Sequence, residues 1–204
     1  MVGKRIAVAV ALLSATFLIL ALYLPDLRPQ QPVPTMASGT VAIGGPFTLT
    51  DAKGQTVTEV NLKGRYSLIF FGFTHCPDIC PLTLQLLTQA LEQAGPAGDA
   101  VQPVFISLDP ERDTPEAMGA YVANFHPRFM ALTGTPEQVK VAAQAYRVYY
   151  VKAPIKEDGI DTGDYTITHS GYIFLMDRNG KYVAHFDKAA SASDIAARLK
   201  QLAL

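Results

Sequence analysis

The chain has 204 residues and a formal net charge of −1 at pH 7. It is long enough for one domain with a complete core, and it lacks the clustered basic surface of a nucleic-acid-binding protein. Its two cysteines, Cys76 and Cys80, are too few for a disulfide framework. The pair is therefore either a chemical site or a small ring that would stabilise the fold little.

Residues 1–24 are predicted to form a membrane anchor. The segment 6–24 carries no charge and, at about 1.5 Å per helical residue, spans roughly the bilayer core. The alternative is a cleaved signal peptide, which usually has a shorter apolar region and a small-x-small cleavage site. Because Lys4 and Arg5 precede the segment, the rest of the chain is expected outside. We therefore predict a single-pass protein of the inner (cytoplasmic) membrane whose domain faces the periplasm, where thiols tend to be oxidised.

Residues 25–40 are rich in proline and are predicted to form an extended linker. The globular domain is expected over residues 41–204. It opens with two short strands, at 47–50 and 57–60, that a turn at Lys53–Gly54 joins into a hairpin.

The two cysteines are expected where a buried strand gives way to a helix. Residues 67–73 are apolar or aromatic apart from Ser67 and Gly72, which is typical of a strand covered on both faces. Each cysteine precedes a proline, so both are expected in the loop, with the helix beginning at Pro81. Cys80 would then lie against the positive end of that helix, which favours a thiolate.

The rest of the chain alternates between strand and helix patterns. A second buried strand is predicted at 101–108, and Thr-Pro-Glu caps open helices at 115–125 and 136–146, with a short strand at 129–132 between them. Strands follow at 147–152 and 166–176, separated by a polar loop at 153–163, then a hairpin pair at 172–176 and 181–186 and a last helix opened by Ser191 and Asp194. This order predicts an α/β fold of the thioredoxin-like class, a mixed sheet flanked by helices.

Several longer motifs carry a family resemblance: FGFTHCPDICP at 71–81, VFISLDPERDTPE at 104–116, FHPRF at 125–129, LTGTPEQ at 132–138, YRVYY at 146–150 and HSG at 169–171. With them the chain resembles the Sco (SenC) family, membrane-tethered copper proteins that help assemble cytochrome c oxidase. The resemblance covers residues 41–200. It implies that Cys76, Cys80 and His169 bind copper, and that Cys76 and Cys80 can form a redox-active disulfide.

The donor set agrees with copper on chemical grounds. Thiolates suit Cu(I) and imidazole suits either oxidation state, whereas a zinc site more often has a fourth protein ligand. The chain departs from the family pattern at Thr168, where the family usually has an aspartate before the ligand histidine. That departure leaves the affinity and the preference for Cu(II) open. Asp78 matches the family pattern, either as a turn residue or as an acidic group near copper.

The remaining histidines are given other roles. His75 is predicted to pack near the site, His126 to cap or pack at a helix end, and His185 to lie on the surface. Segment 109–116 follows a strand at the same sheet end as the cysteine loop if the sheet is parallel there, so it could line the site or form a docking surface. It is attributed mainly to helix capping and an Arg112 ion-pair network. The aromatic residues Phe70, Phe71, Phe73, Tyr149 and Tyr150 are assigned to the core, and residues 153–164 are treated as a moving segment that could carry His169.

Two function classes compete. The first is a membrane-anchored metallochaperone that delivers copper to a cytochrome c oxidase subunit, with no catalytic residues of its own. Its partners would be that copper-site subunit, other periplasmic copper chaperones and thioredoxin-like reductants. The second is an enzyme, a thiol–disulfide oxidoreductase that reduces a partner's cysteines before metal loading. A peroxidase-like relative is a weaker third interpretation, because no separate peroxidatic site is evident.

Overall fold

A computed structural model describes residues 42–158 and 160–202. The predicted anchor at 1–24 and linker at 25–40 lie outside the described residues, so the division of the chain into three parts stays a prediction. Across the two described ranges, no helix combines the length and the apolar character that a bilayer crossing requires.

Strands and helices alternate along most of the described chain, and the strands are gathered into two sheets. The strands are β1 (Thr48–Asp51), β2 (Thr56–Thr58), β3 (Tyr66–Gly72), β4 (Val101–Ser107), β5 (Met130–Thr133), β6 (Tyr150–Glu157), β7 (Ile160–His169), β8 (Ile173–Met176) and β9 (Tyr182–Phe186). The helices are a 3-10 helix (Glu59–Leu62), α1 (Ile79–Ala94), α2 (Pro96–Asp99), α3 (Pro115–Val122), α4 (Pro136–Ala145) and α5 (Ala192–Leu202).

The main sheet has seven strands in the order β2-β1-β5-β4-β3-β8-β9. Strands β3, β4 and β5 run parallel, and the four outer strands pair antiparallel. Helix α1 packs against α5, whereas α3 packs against β5 and α4 against β1. The predicted mixed thioredoxin-like sheet with flanking helices is thereby confirmed.

The two central strands, β3 and β4, bring the segments that follow them to one edge of the sheet. All of β4 and nearly all of β3 are buried, which explains their unbroken apolar runs. Their parallel register runs from Tyr66 opposite Val101 to Gly72 opposite Ser107. The segments that follow β3 and β4 therefore emerge side by side, at the carboxyl edge of the sheet.

Helix starts were well marked in the sequence. Thr114 accepts a hydrogen bond from the Ala117 N–H at 3.2 Å, and Thr135 forms a reciprocal capping box with Gln138. Ser191 and Asp194 do the same before α5. These caps involve residues only three apart, so they can be read from the sequence without knowledge of the fold.

The prediction of a polar loop at 153–163 is wrong. Strands β6 and β7 pair through this region, from Tyr150 opposite His169 out to Glu157 opposite Ile160, and form a separate two-stranded sheet. Most side chains of this hairpin are exposed, so no apolar face had to be kept and no alternating pattern marked the strands. Residues 153–164 therefore belong largely to a paired ladder rather than to an open loop.

The predicted strand at 166–176 is also corrected, because it divides into β7 and β8 with a break at 170–172. Phe70, Phe71 and Phe73 lie in the core as predicted, but Tyr149 is 67% exposed. Tyr149 precedes β6, in the hairpin whose side chains are mostly exposed.

Candidate metal centre

The cysteine loop, residues 73–78, connects the buried end of β3 to the first turn of α1. The helix begins at Ile79, earlier than the predicted Pro81, so Cys80 lies inside the first turn. A proline is tolerated there because the first N–H groups of a helix have no intrahelical partner. Cys80 is fully buried, whereas Cys76 is half-buried in the loop, and both are free thiols.

The thiolate is favoured at Cys76 and not, as predicted, at Cys80. The hydrogen bond from the Cys80 thiol, helped by the backbone N–H groups of Asp78 and Cys80, lowers the pKa of Cys76 to about 5. The same hydrogen bond and burial raise the pKa of Cys80. The Cys80 N–H points to the Cys76 sulfur at 3.5 Å, so the Cys76 sulfur accepts a hydrogen bond from the first turn of the helix. Burial of Cys80 outweighs its position on the helix.

His169 is the last residue of β7, and its Nε2 atom lies 3.8 Å from the Cys80 sulfur. Its Nδ1 atom lies 3.0 Å from the Ser170 carbonyl oxygen. Since a carbonyl oxygen only accepts, this contact suits a ring that carries a proton on Nδ1 and turns Nε2 to the sulfur. The rings of Phe70 and Phe73 meet the imidazole edge-on, with centroids 6.1 and 6.0 Å away. These contacts together hold the direction of the ring.

Thr168, the departure from the family pattern, is exposed and takes no part in orienting this ring. Instead of an acidic side chain, the Ser170 carbonyl contacts the Nδ1 atom of His169 and orients the ring. Asp78 is the N-cap residue of α1, but its side chain makes no cap hydrogen bond and is exposed.

Two of the three predicted ligand atoms, the Cys80 sulfur and the His169 Nε2 atom, are already spaced as ligands of one soft metal ion would be. A trigonal metal with bonds of about 2.0–2.3 Å would separate a sulfur and a nitrogen ligand by about 3.7 Å, close to the Cys80–His169 spacing. Within the described residues, however, no three His, Cys, Asp or Glu side chains are already grouped to hold a metal ion. Metal binding would have to draw Cys76 in and remove the thiol protons.

The other three histidines have the predicted non-ligand surroundings. His75 lies 3.1 Å from the Thr74 hydroxyl, and His126 accepts from the Arg128 N–H at 3.3 Å. Burial lowers the pKa of His126. His185 is exposed and contacts the Tyr182 hydroxyl. None of these contacts involves a cysteine.

Two buried carboxylates lie beside the site, in the segment that the sequence interpretation attributed mainly to helix capping and ion pairs. Asp109 and Asp113 are both fully buried, in the segment that follows β4. Asp109 accepts from the Tyr165 hydroxyl at 2.7 Å and pairs with Arg112, whose guanidinium lies 3.9 Å from the centre of the Tyr165 ring. These contacts attach the hairpin that bears His169 to the main sheet.

Asp113 makes the corresponding contact with the cysteine loop, through Thr74. Capping and the Arg112 ion pairs are present as predicted in segment 109–116. In the sequence, only the position of these two acids indicated a role beyond capping and ion pairs. Acidic residues directly after a buried parallel strand lie at the same sheet edge as the cysteine loop.

Alkylation of Cys76 should show its lowered pKa. In the folded, reduced, metal-free chain the iodoacetamide rate at Cys76 should stay nearly constant from pH 9 to pH 7, because the thiolate persists until the pH approaches about 5. In urea the same residue should lose about tenfold in rate per pH unit below its ordinary pKa of 9.0. Mass spectrometry of the labelled peptide gives both rates. A tenfold loss per unit in the folded chain would contradict the assignment.

Comparison with known proteins identifies relatives over most of the chain. The family model described as SCO1/SenC matches residues 35–204. The chain is 44% identical over 179 residues to "Protein SCO2 homolog, mitochondrial" of Homo sapiens, a match that covers 86% of this chain and 66% of the human protein.

Solved structures are similar as well. The structure of Bradyrhizobium japonicum ScoI with copper bound is 46% identical, with a TM-score of 0.71, and covers 78% of this chain and 99% of that one. The structure of BsSco, described as a member of the Sco family of cytochrome c oxidase assembly proteins with a disulfide switch, is 25% identical with a TM-score of 0.60 and covers 79% of this chain and 94% of that one.

Proposed function

The chain belongs to the SCO1/SenC family, and from this premise we propose that it is a copper metallochaperone for the maturation of cytochrome c oxidase. Cys76, Cys80 and His169 hold the ion in this proposal, as Cu(I) or Cu(II). The copper is cargo, passed on to the copper-site subunit of the oxidase. Two thiolates and one imidazole suit both oxidation states, and a site with three ligands leaves a position through which a partner's ligand can enter.

The observation that carries the proposal is the Cys80–His169 contact. The Nε2 lone pair lies 3.8 Å from a buried sulfur, and Ser170 holds the opposite ring nitrogen. A histidine placed on the strand for packing alone would not need this combination. The copper-bound ScoI structure and the description of BsSco lend support from two relatives.

The cysteine pair also allows redox control of the cargo. When a periplasmic disulfide oxidant accepts two electrons, the two thiols lose two protons and join as a disulfide, and both sulfur ligands are lost. Reduction by a thioredoxin-like protein restores them. In this proposal copper binds only to the reduced chain. The predicted anchor would hold the domain at the inner membrane, on the periplasmic side where the oxidase copper site is assembled.

A thiol–disulfide oxidoreductase is the second candidate. The observation that favours it is the pKa pattern of the pair, a lowered value at half-buried Cys76 beside a raised value at buried Cys80. An accessible thiolate next to a protonated partner is the arrangement of an attacking and a resolving thiol. The first step would be attack of the Cys76 thiolate on a partner's disulfide, which breaks the partner's S–S bond, forms a mixed disulfide and releases one partner thiolate. The Cys80 sulfur, after losing its proton, would then attack the Cys76 sulfur, form the Cys76–Cys80 disulfide and release the partner's second thiolate.

Anaerobic copper titration of the reduced full chain in detergent tests the proposal. One tightly bound Cu(I) per chain is expected. His169→Ala should weaken binding by at least about a hundredfold, since loss of second-shell groups alone costs about 10–100-fold. Disulfide exchange with a model substrate should be largely unchanged, because the two sulfurs remain.

His185→Ala is the matched control, since His185 is exposed and contacts only other aromatic groups. Its copper affinity should equal that of the parent chain. If His169→Ala also binds like the parent, the ligand assignment is wrong. If the parent binds no copper yet reduces a model disulfide rapidly, the oxidoreductase becomes the better function.

A further inference from the structure

Asp113 joins the cysteine loop to the interior of the domain. Its side chain is fully buried, and both carboxylate oxygens are used. The Thr74 hydroxyl donates to Oδ1 at 2.5 Å, while the Thr74 N–H and the Ser107 hydroxyl donate to Oδ2 at 3.1 and 2.6 Å. A buried carboxylate without such donors would be costly, so this cluster is strongly specified.

The main chain of Asp113 is itself held from two directions. Its N–H donates to the Asp109 carbonyl at 2.8 Å, and its carbonyl accepts from the Thr133 hydroxyl at 2.8 Å. Thr133 ends β5, and Ser107 ends β4. The carboxylate therefore has a fixed position relative to the parallel strands.

Thr74 lies where the rigid strand gives way to the loop, two residues after the end of β3. Within the loop, the Cys76 N–H lies 3.3 Å from the Phe73 carbonyl and the Cys80 N–H lies 3.5 Å from the Cys76 sulfur. The Thr74 hydroxyl bond to Asp113 is short and is made to a carboxylate. Hydrogen bonds to an ionised acceptor are roughly twice as strong as neutral ones, so Thr74 is a strong point of attachment between the loop and the domain interior.

We propose that Asp113 and Thr74 form a clamp that positions Cys76 and Cys80 for the metal. The inference rests on the proposed function, and it deepens it by naming residues that control how long copper stays. Neither residue touches the ion, so both are positioning residues. While the clamp is closed, Thr74 holds the start of the cysteine loop to a buried carboxylate and so limits the movement of Cys76 away from Cys80. Opening of the clamp should therefore speed copper release.

Thr74→Val in the full chain tests the clamp, because it removes the hydroxyl and keeps the shape and the backbone N–H. In the reduced, metal-free chain the Cys76 and Cys80 amides should exchange hydrogen at least about tenfold faster. In the copper-loaded chain, release to a chelator should also be about tenfold faster, the lower range for loss of a second-shell contact. Thr74→Ser keeps the hydroxyl and should restore both rates.

Thr135→Val is the matched control, since it makes the same chemical change at the cap of α4, where the hydroxyl accepts from the Gln138 N–H and not from the cysteine loop. It should leave amide exchange in the loop and copper release at the parent values. The clamp is refuted if Thr74→Val exchanges like this control, or if the loop loosens and copper release does not change. If the parent binds no copper, the proposed function fails, and the amide exchange still decides whether the clamp exists.

Discussion

Replacing Cys80 with serine should abolish copper binding and disulfide exchange together. Cys80 is the buried sulfur that contacts both Cys76 and His169, so its loss removes the shared centre of the donor set. A serine hydroxyl is a hard, weakly acidic ligand and does not replace a thiolate for Cu(I). Bound copper per chain, measured after anaerobic loading and gel filtration, should fall from one to background.

Cys76→Ser should have the same result, because the proposed site needs both sulfurs. Ala90→Ser serves as the control for a new buried hydroxyl, since Ala90 is fully buried in the same helix. Its hydroxyl can bond within the helix, and full copper loading is expected. A Cys80→Ser chain that retained one tightly bound copper would contradict the proposed ligand set.

Gly72→Ala should damage both the fold and the site. A Cβ at this position would lie 2.7 Å from the Cys80 sulfur and 2.9 Å from a carbon of the Phe105 ring. Both neighbours are fully buried, so neither can move aside freely. Overpacking of this kind costs about 1–3 kcal/mol, and for a chain of this size each kcal/mol lowers the melting temperature by about 2–4 °C.

The displaced Cys80 sulfur should also weaken copper binding, which separates this variant from a simple loss of stability. Gly171→Ala is the matched control, because a Cβ there meets no atom within 4 Å and the backbone is not left-handed. It should melt within about 1 °C of the parent, as expected for an ordinary exposed change. Equal melting temperatures for Gly72→Ala and the parent would show that the strand can shift to make room.

The Asp109 and Asp113 contacts explain how two distant parts of the chain can act as one site. Asp109, with Arg112, holds the β6–β7 hairpin, and Asp113 holds the cysteine loop. One short segment after β4 thus holds both the cysteine loop and the hairpin that carries His169. The histidine and the cysteines keep their spacing because they share this attachment.

Features that depend on residues close together in the sequence could be predicted without the structure. The strand and helix order, the caps at Thr114, Thr135 and Ser191, and the cysteine pair at the end of a buried strand follow from short patterns. Burial of β3 and β4 on both faces could also be predicted, since a run of apolar residues has no other stable environment. His169, the histidine proposed as a ligand, was predicted from a family resemblance rather than from its surroundings.

The tertiary structure alone decided which thiol ionises, where the hairpin lies and what the buried acids do. The Cys80–His169 contact spans 89 residues of chain, and the Thr74–Asp113 contact spans 39. Ionisation depends on burial and on partners that arrive from such distances, and a local pattern contains neither. Most side chains of the β6–β7 hairpin are exposed and its core contacts lie near its base, at residues such as Ile167, so its strands left little apolar signature. The chemistry of this site is therefore set by contacts that exist only once the chain has folded.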